Sequence, residues 1–76
     1  MTAVVVGGHY RHYKGDEYSI LHVAEHADTG EEYVVYTRRY DNTEVWVRPK
    51  AIFVQSVIVR DVTVPRFTYL DKFPGK

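Results

Sequence analysis

Cysteine is absent from the 76 residues, which excludes disulfides, thiolate metal ligands and a thiol nucleophile. Proline and glycine are scarce, three and five residues respectively, too few for a low-complexity linker and enough only to punctuate turns. Net charge is lacking as well. Ten Lys and Arg balance ten Asp and Glu, which argues against a protein that holds nucleic acid mainly by bulk electrostatics. No apolar run approaches the roughly 18 residues a membrane span requires. Residues 2 to 6 are apolar, but they have no basic flank, no adequate length and no cleavage site, so the sequence reads as cytoplasmic. At this length a core buries only about 60% of the unfolded chain's surface. A single domain over residues 1–76 is expected, ordered from about 8 to 70 with flexible ends, and stabilised by packing and strand pairing alone.

What the chain does have is β-branched and aromatic residues in short runs separated by turn chemistry. His9 to Lys14 reads as a first strand and Tyr18 to His26 as a second. Ala27-Asp28-Thr29-Gly30 is a turn, and Glu31 to Arg38 returns antiparallel as a hairpin. Tyr40 to Thr43 forms the next turn, and Glu44 to Arg48 a strand with Val45 and Val47 facing inward and Trp46 and Arg48 on the other face. Pro49 to Phe53 suits one helical turn that drops Ile52 and Phe53 into the core. Val57 to Val59 and Val64 to Leu70 would pair around Arg60 to Thr63, and the tail from Asp71 would fray. The expected fold is all-β with one short helical turn, a small SH3-like barrel.

The segments Gly8-His9-Tyr10-Arg11-His12-Tyr13-Lys14-Gly15 and Trp46-Val47-Arg48-Pro49, with Tyr18, His26, Glu32, Val35-Tyr36, Tyr40, Phe53 and Pro65-Arg66-Phe67, carry a resemblance. Their combined spacing resembles the short bacterial proteins of the family called domain of unknown function 1653, over about residues 8 to 70. The resemblance implies a compact, mostly β, SH3-like domain and brings no activity, substrate or cofactor with it. One departure concerns the last hairpin, which in such proteins often turns on Asp-Gly, whereas here Val62 follows Asp61.

Eleven aromatic residues are too many for the core of so small a chain, so some are expected to line a groove. Tyr10, Tyr36 and Trp46, together with Arg11, His12, Lys14, Arg48 and Arg66, form the expected ligand-binding set. An indole beside a guanidinium can stack a planar ligand, a proline ring or a base. Arg48 and Arg66 each sit next to a proline and an aromatic and suit an anionic group, or else a structural salt bridge to Glu32 or Glu44. A metal centre is not expected. His22 and His26 share a strand face but stand roughly 13 Å apart at about 3.3 Å per residue, too far for one ion. Ser19 and Ser56 lack a nucleophile context, and a His26 and Glu32 pair reads more readily as a cross-strand contact than as acid-base machinery. The reading is therefore a non-enzymatic, cofactor-free binding module for a peptide segment or partner protein. Single-stranded nucleic acid or a nucleotide is the alternative ligand, and a monomer or weak homodimer the expected state.

Overall fold

In the computed structural model residues 3–72 are described, the last by its backbone alone. Seven strands and one helical turn follow in order: β1 (Gly8–His12), β2 (Glu17–Glu25), β3 (Glu32–Arg38), β4 (Asp41–Pro49), α1 (Lys50–Phe53), β5 (Ser56–Val59), β6 (Val62–Pro65) and β7 (Phe67–Lys72). β1 to β4 and β7 make a five-stranded sheet in the order β4-β3-β2-β1-β7, and β5-β6 is a separate two-stranded ribbon. The strand from Asp71 to Lys72 that the sequence reading leaves frayed is paired with β1. The rest of that expectation, residues 73–76, lies outside the described residues.

The expected SH3-like barrel does not form. Closure would require the last pair of strands to bridge the sheet, but the run from Val64 to Leu70 is broken at Arg66, between Pro65 at the end of β6 and Phe67 at the start of β7. Proline contributes no donor to a ladder. Arg66 bends away, giving its N–H to the Gln55 carbonyl and accepting from the Tyr13 N–H, both at 2.9 Å. The chain before the break hydrogen-bonds only within its own ribbon, and the chain after it pairs with β1. The sheet therefore stays open, with β4 and β7 as its edges.

Two hairpins show how local chemistry sets register. Between β2 and β3, Gly30 adopts φ 76° and gives its N–H to the His26 carbonyl at 2.8 Å, a left-handed conformation that glycine takes without penalty. The His26 Nδ1 accepts from the backbone N–H groups of Asp28 and Thr29 at 3.2 and 3.3 Å. His26 is thus committed to the turn, and Glu32 accepts from the Lys50 ammonium at 3.1 Å, so the two do not form the pair weighed from sequence. The β5-β6 ribbon turns on Arg60 and Asp61, at φ 52° and 66°, between partners Val59 and Val62. Two left-handed residues define the tight hairpin turn that prefers Asn-Gly. Replacing Arg60-Asp61 by Asn-Gly is expected to stabilise the domain by about 1 kcal/mol, read as a higher denaturant midpoint at an unchanged slope.

The core lies on one face of the sheet. Tyr10, Ile20, Val34, Tyr36, Phe53 and Phe67 are buried there, with Val4, Tyr18, Trp46 and Val54 packed around them. Phe53 reaches this face from α1, whereas Ile52, expected beside it, remains on the surface. Val45 and Val47 are also the reverse of expectation: they are exposed on the far face, 57% and 62%, while Trp46 and Arg48 point to the core side. The alternation in β4 is legible, but its polarity is set by pairing. Trp46 lies opposite Tyr36 and Arg48 opposite Val34, and Tyr36 and Val34 are both buried.

Candidate functional site

Register gathers the site. Tyr36 lies opposite Ile20 and Trp46, Tyr18 opposite Tyr10 and Arg38, and Phe67 opposite His12. Side chains directly opposite on neighbouring strands project to the same face, so the core face also carries the ligand-binding candidates. Tyr18 stands edge-on to Tyr36 at 5.3 Å, Phe67 at 5.9 Å and Trp46 at 6.2 Å between ring centroids. Phe67 stacks on Phe53 at 4.0 Å and meets the edge of the His12 ring at 4.9 Å. Such pairs contribute about 0.5–1.5 kcal/mol beyond area burial. The aromatic core therefore continues without a break to the margin of the sheet, where Tyr18 and Trp46 are only half-buried.

At that margin a cleft of about 190 Å³ is lined by Tyr18, Tyr36, Arg38, Trp46 and Arg48. The Arg38 guanidinium lies 5.6 Å from the Trp46 ring centre, and that of Arg48 lies 5.8 Å from Phe67. Arg48 Nε donates to the Tyr36 hydroxyl at 3.3 Å, fixing the guanidinium at the cleft. Three carboxylates pair with other cations, while Asp41 feels the charge of Arg38. Glu17 holds Arg11 and Arg39, at 3.0 and 2.9 Å, Glu32 holds Lys50, and Asp71 sits with His9 and Arg39. Among the described residues neither Arg48 nor Arg66 meets Glu32, Glu44 or any other carboxylate, and the Arg66 Nε is buried with no hydrogen-bond partner.

His12 reports the resulting field. Burial, then the charges of Arg48, Arg66 and Lys14, push its imidazole below the usual histidine range, with Asp16 opposing. The neutral form of the ring is favoured, and its Nδ1 accepts from the Lys14 N–H at 3.1 Å. Tyr18 is raised, chiefly by burial and then by Asp16. Glu17 is lowered by its hydrogen bonds to Arg11 and Arg39.

The structure thus brings Tyr36, Trp46 and Arg48 of the sequence-derived set into one cleft, with His12 beside it on the Phe67 ring. Arg66, next to Phe67 in the chain, adds its charge to the field at His12. It separates the others. Tyr10 is buried, its hydroxyl accepting from the Val5 N–H at 3.0 Å. Arg11 is on the far face in its ion pair with Glu17. Lys14 is exposed at the β1-β2 turn, 5.9 Å from the Tyr13 ring. Tyr18 and Arg38 line the cleft but are missing from the set; the signal for both was their shared register across the β2-β3 hairpin. A larger hollow toward the far face includes Ser19, Thr37, Arg39 and Val45, and Arg38, at the strand end, borders it as well. Its Arg39 is neutralised by Glu17, and its Thr37 hydroxyl is spent on the Glu44 carbonyl at 2.6 Å. Among the described residues no three His, Asp or Glu side chains group as metal ligands would, and no helix is long and apolar enough to cross a membrane.

The sequence profile of the family described as protein of unknown function (DUF1653) matches residues 8–69. Among solved structures, the crystal structure of a DUF1653 protein from Bordetella bronchiseptica is similar to this chain. The two share 36% identity, the alignment covers 92% of each chain, and the TM-score is 0.76. Among curated proteins none matches. Profile and structure cover the strands that build the cleft, and on both grounds the chain belongs to the DUF1653 family.

Proposed function

We propose that this domain is a small, non-enzymatic binding module that recognises a peptide segment or partner protein through the Tyr18, Trp46 and Arg48 cleft. The observation that carries this reading is the half-buried indole of Trp46 flanked by Arg38 and Arg48; neither guanidinium is among the described ion pairs, although Asp16, Glu17 and Asp41 line an adjoining hollow with Arg38. The ring stays half-buried at the rim of the core beside two guanidiniums. Aromatic and arginine side chains in such a setting are the groups that dominate binding energy at interfaces. In this reading the domain works in the cytoplasm, as a monomer or weak homodimer.

The test is selection of short random peptides displayed on phage, followed by measurement of the enriched peptides against the purified domain. Trp46→Ala is expected to weaken binding by about 2 kcal/mol or more, roughly 30-fold, with the amide spectrum still dispersed. Unchanged affinity in that variant would overturn the reading. Single-stranded nucleic acid or a nucleotide is the second reading, supported by the same arginines beside Trp46. It predicts affinity that falls steeply with salt. Against it stand the loss of Arg11 to Glu17 and the presence of Asp16 near His12.

A further inference from the structure

We propose that the cleft between Arg38 and Arg48 is a seat for a single oxyanion, a carboxylate or phosphate group of the bound ligand. This rests on the reading above that the cleft is the binding surface, and it names the chemistry that surface selects. Three observations converge. Arg38 and Arg48 line one cavity with Tyr18, Tyr36 and Trp46, and no acidic side chain lines it. The Arg48 Nε–H is spent on the Tyr36 hydroxyl, which orients the plane of the guanidinium and leaves its terminal N–H groups free. That hydroxyl, having accepted from Arg48, keeps its own proton to donate.

Size and charge set the ligand. A cavity of about 190 Å³ has room for about six water molecules at ~30 Å³ each, which suits one carboxylate or phosphate and the first atoms of its carrier. Two planar guanidiniums offer paired donors that match the oxygens of either group. Positive charge continues beyond the cleft. Arg48 and His12 both pack on the Phe67 ring, and the charges of Arg48, Arg66 and Lys14 all reach His12, with Asp16 the carboxylate that opposes them. An anion entering this field offsets the repulsion that disfavours a charged imidazole. Binding and protonation of His12 are therefore coupled, and each strengthens the other.

The experiment is a titration of the isotope-labelled domain with inorganic phosphate, with acetate and with chloride at matched ionic strength. It is read at the arginine Nε–Hε resonances and the His12 ring. The expected result is saturable shifts of Arg38 and Arg48 with phosphate or acetate and none with chloride, together with an upward move of the His12 titration midpoint. Arg48→Gln is expected to raise the half-saturating concentration about tenfold or more. Arg38→Gln, at an exposed position, gives the same direction without touching the Tyr36 contact. Whichever of phosphate and acetate saturates at lower concentration identifies the source of the oxyanion. Equal responses to all three salts, or shifts that persist in both variants, would overturn the seat. Peptides that bind the domain equally well with and without an acidic group would overturn it too while leaving the binding module standing. Phosphate binding with no peptide ever enriched would do the reverse.

Discussion

Phe53→Ala is expected to leave the domain largely unfolded under conditions where the parent chain is folded. Phe53 is 1% exposed and is the only α1 side chain in the buried cluster. It stacks on Phe67 at 4.0 Å, with ring planes within 7°, and meets the edges of Tyr10 at 5.4 Å and Tyr36 at 5.8 Å. Truncating a buried phenylalanine costs about 3–5 kcal/mol, against a total of about 5 kcal/mol for a small domain at the low end of the usual range. The core cannot readily collapse to fill the gap, because the rings that touch Phe53 are anchored on three different strands of the sheet and the covering layer there is a single helical turn. Circular dichroism during denaturant titration measures the effect. Phe53→Leu should keep a cooperative transition at lower denaturant, and a Phe53→Ala midpoint within experimental error of the parent would contradict the packing described.

The second large effect lies at the start of β1. A methyl group added at Gly8 would sit 2.9 Å from the Val5 carbonyl oxygen and 3.0 Å from a ring carbon of Tyr69. The same carbonyl accepts the Gly8 N–H at 3.0 Å, and the Val5 N–H is donated to the Tyr10 hydroxyl, so backbone and ring are both pinned. Relief requires moving the Val5 turn or displacing Tyr69 from its edge contact with Tyr10 at 5.4 Å. Overpacking of this kind costs about 1–3 kcal/mol, or roughly 4–8 °C in Tm for each kcal/mol in a domain of this size. Gly8→Ala should therefore melt at least several degrees below the parent. At Gly15 a Cβ would meet no atom within 4 Å, so substitution there tests the strain of its φ of 113° and not crowding.

Strand content and the order of the hairpins were legible because they depend on neighbours in the chain. Asp28 to Gly30 marks its own turn, and Pro49 marks the end of β4. The open architecture was not legible, since it depends on where the chain goes after Pro65, and the apolar stretch from Val64 to Leu70 reads equally well as one strand or as two. The polarity of β4 failed for a related reason. Valine and tryptophan both suit a buried strand face, and only the pairing of Trp46 with Tyr36 decides between them.

The site was half legible. Trp46 and Arg48 could be named because their types and alternation are distinctive. Tyr18 and Arg38 were hidden by the irregularity between Ile20 and His22. Counting back evenly from partners Glu25 and Glu32 puts Tyr18 opposite Arg39, whereas the bulge moves Arg38 into that place. One extra residue thus exchanges an arginine ion-paired with Glu17 for one that lines the cleft without being in a described ion pair. Arg11 was misplaced by composition: its spacing among tyrosines suggested a platform, but its register opposite Glu17 commits it to an ion pair on the far face.

In the reading proposed above, the domain meets its partner at the cleft rimmed by Tyr18, Trp46 and Arg48. The most direct measurement is the map of backbone and side-chain amide shifts on adding the strongest peptide from the displayed library. Shifts centred on Tyr18, Tyr36, Arg38, Arg48 and the single tryptophan's indole N–H, and lost in Arg48→Gln, are the predicted result. Shifts centred on the β5-β6 ribbon or on Val45 and Val47 of the far face, with the indole signal unmoved, would contradict it.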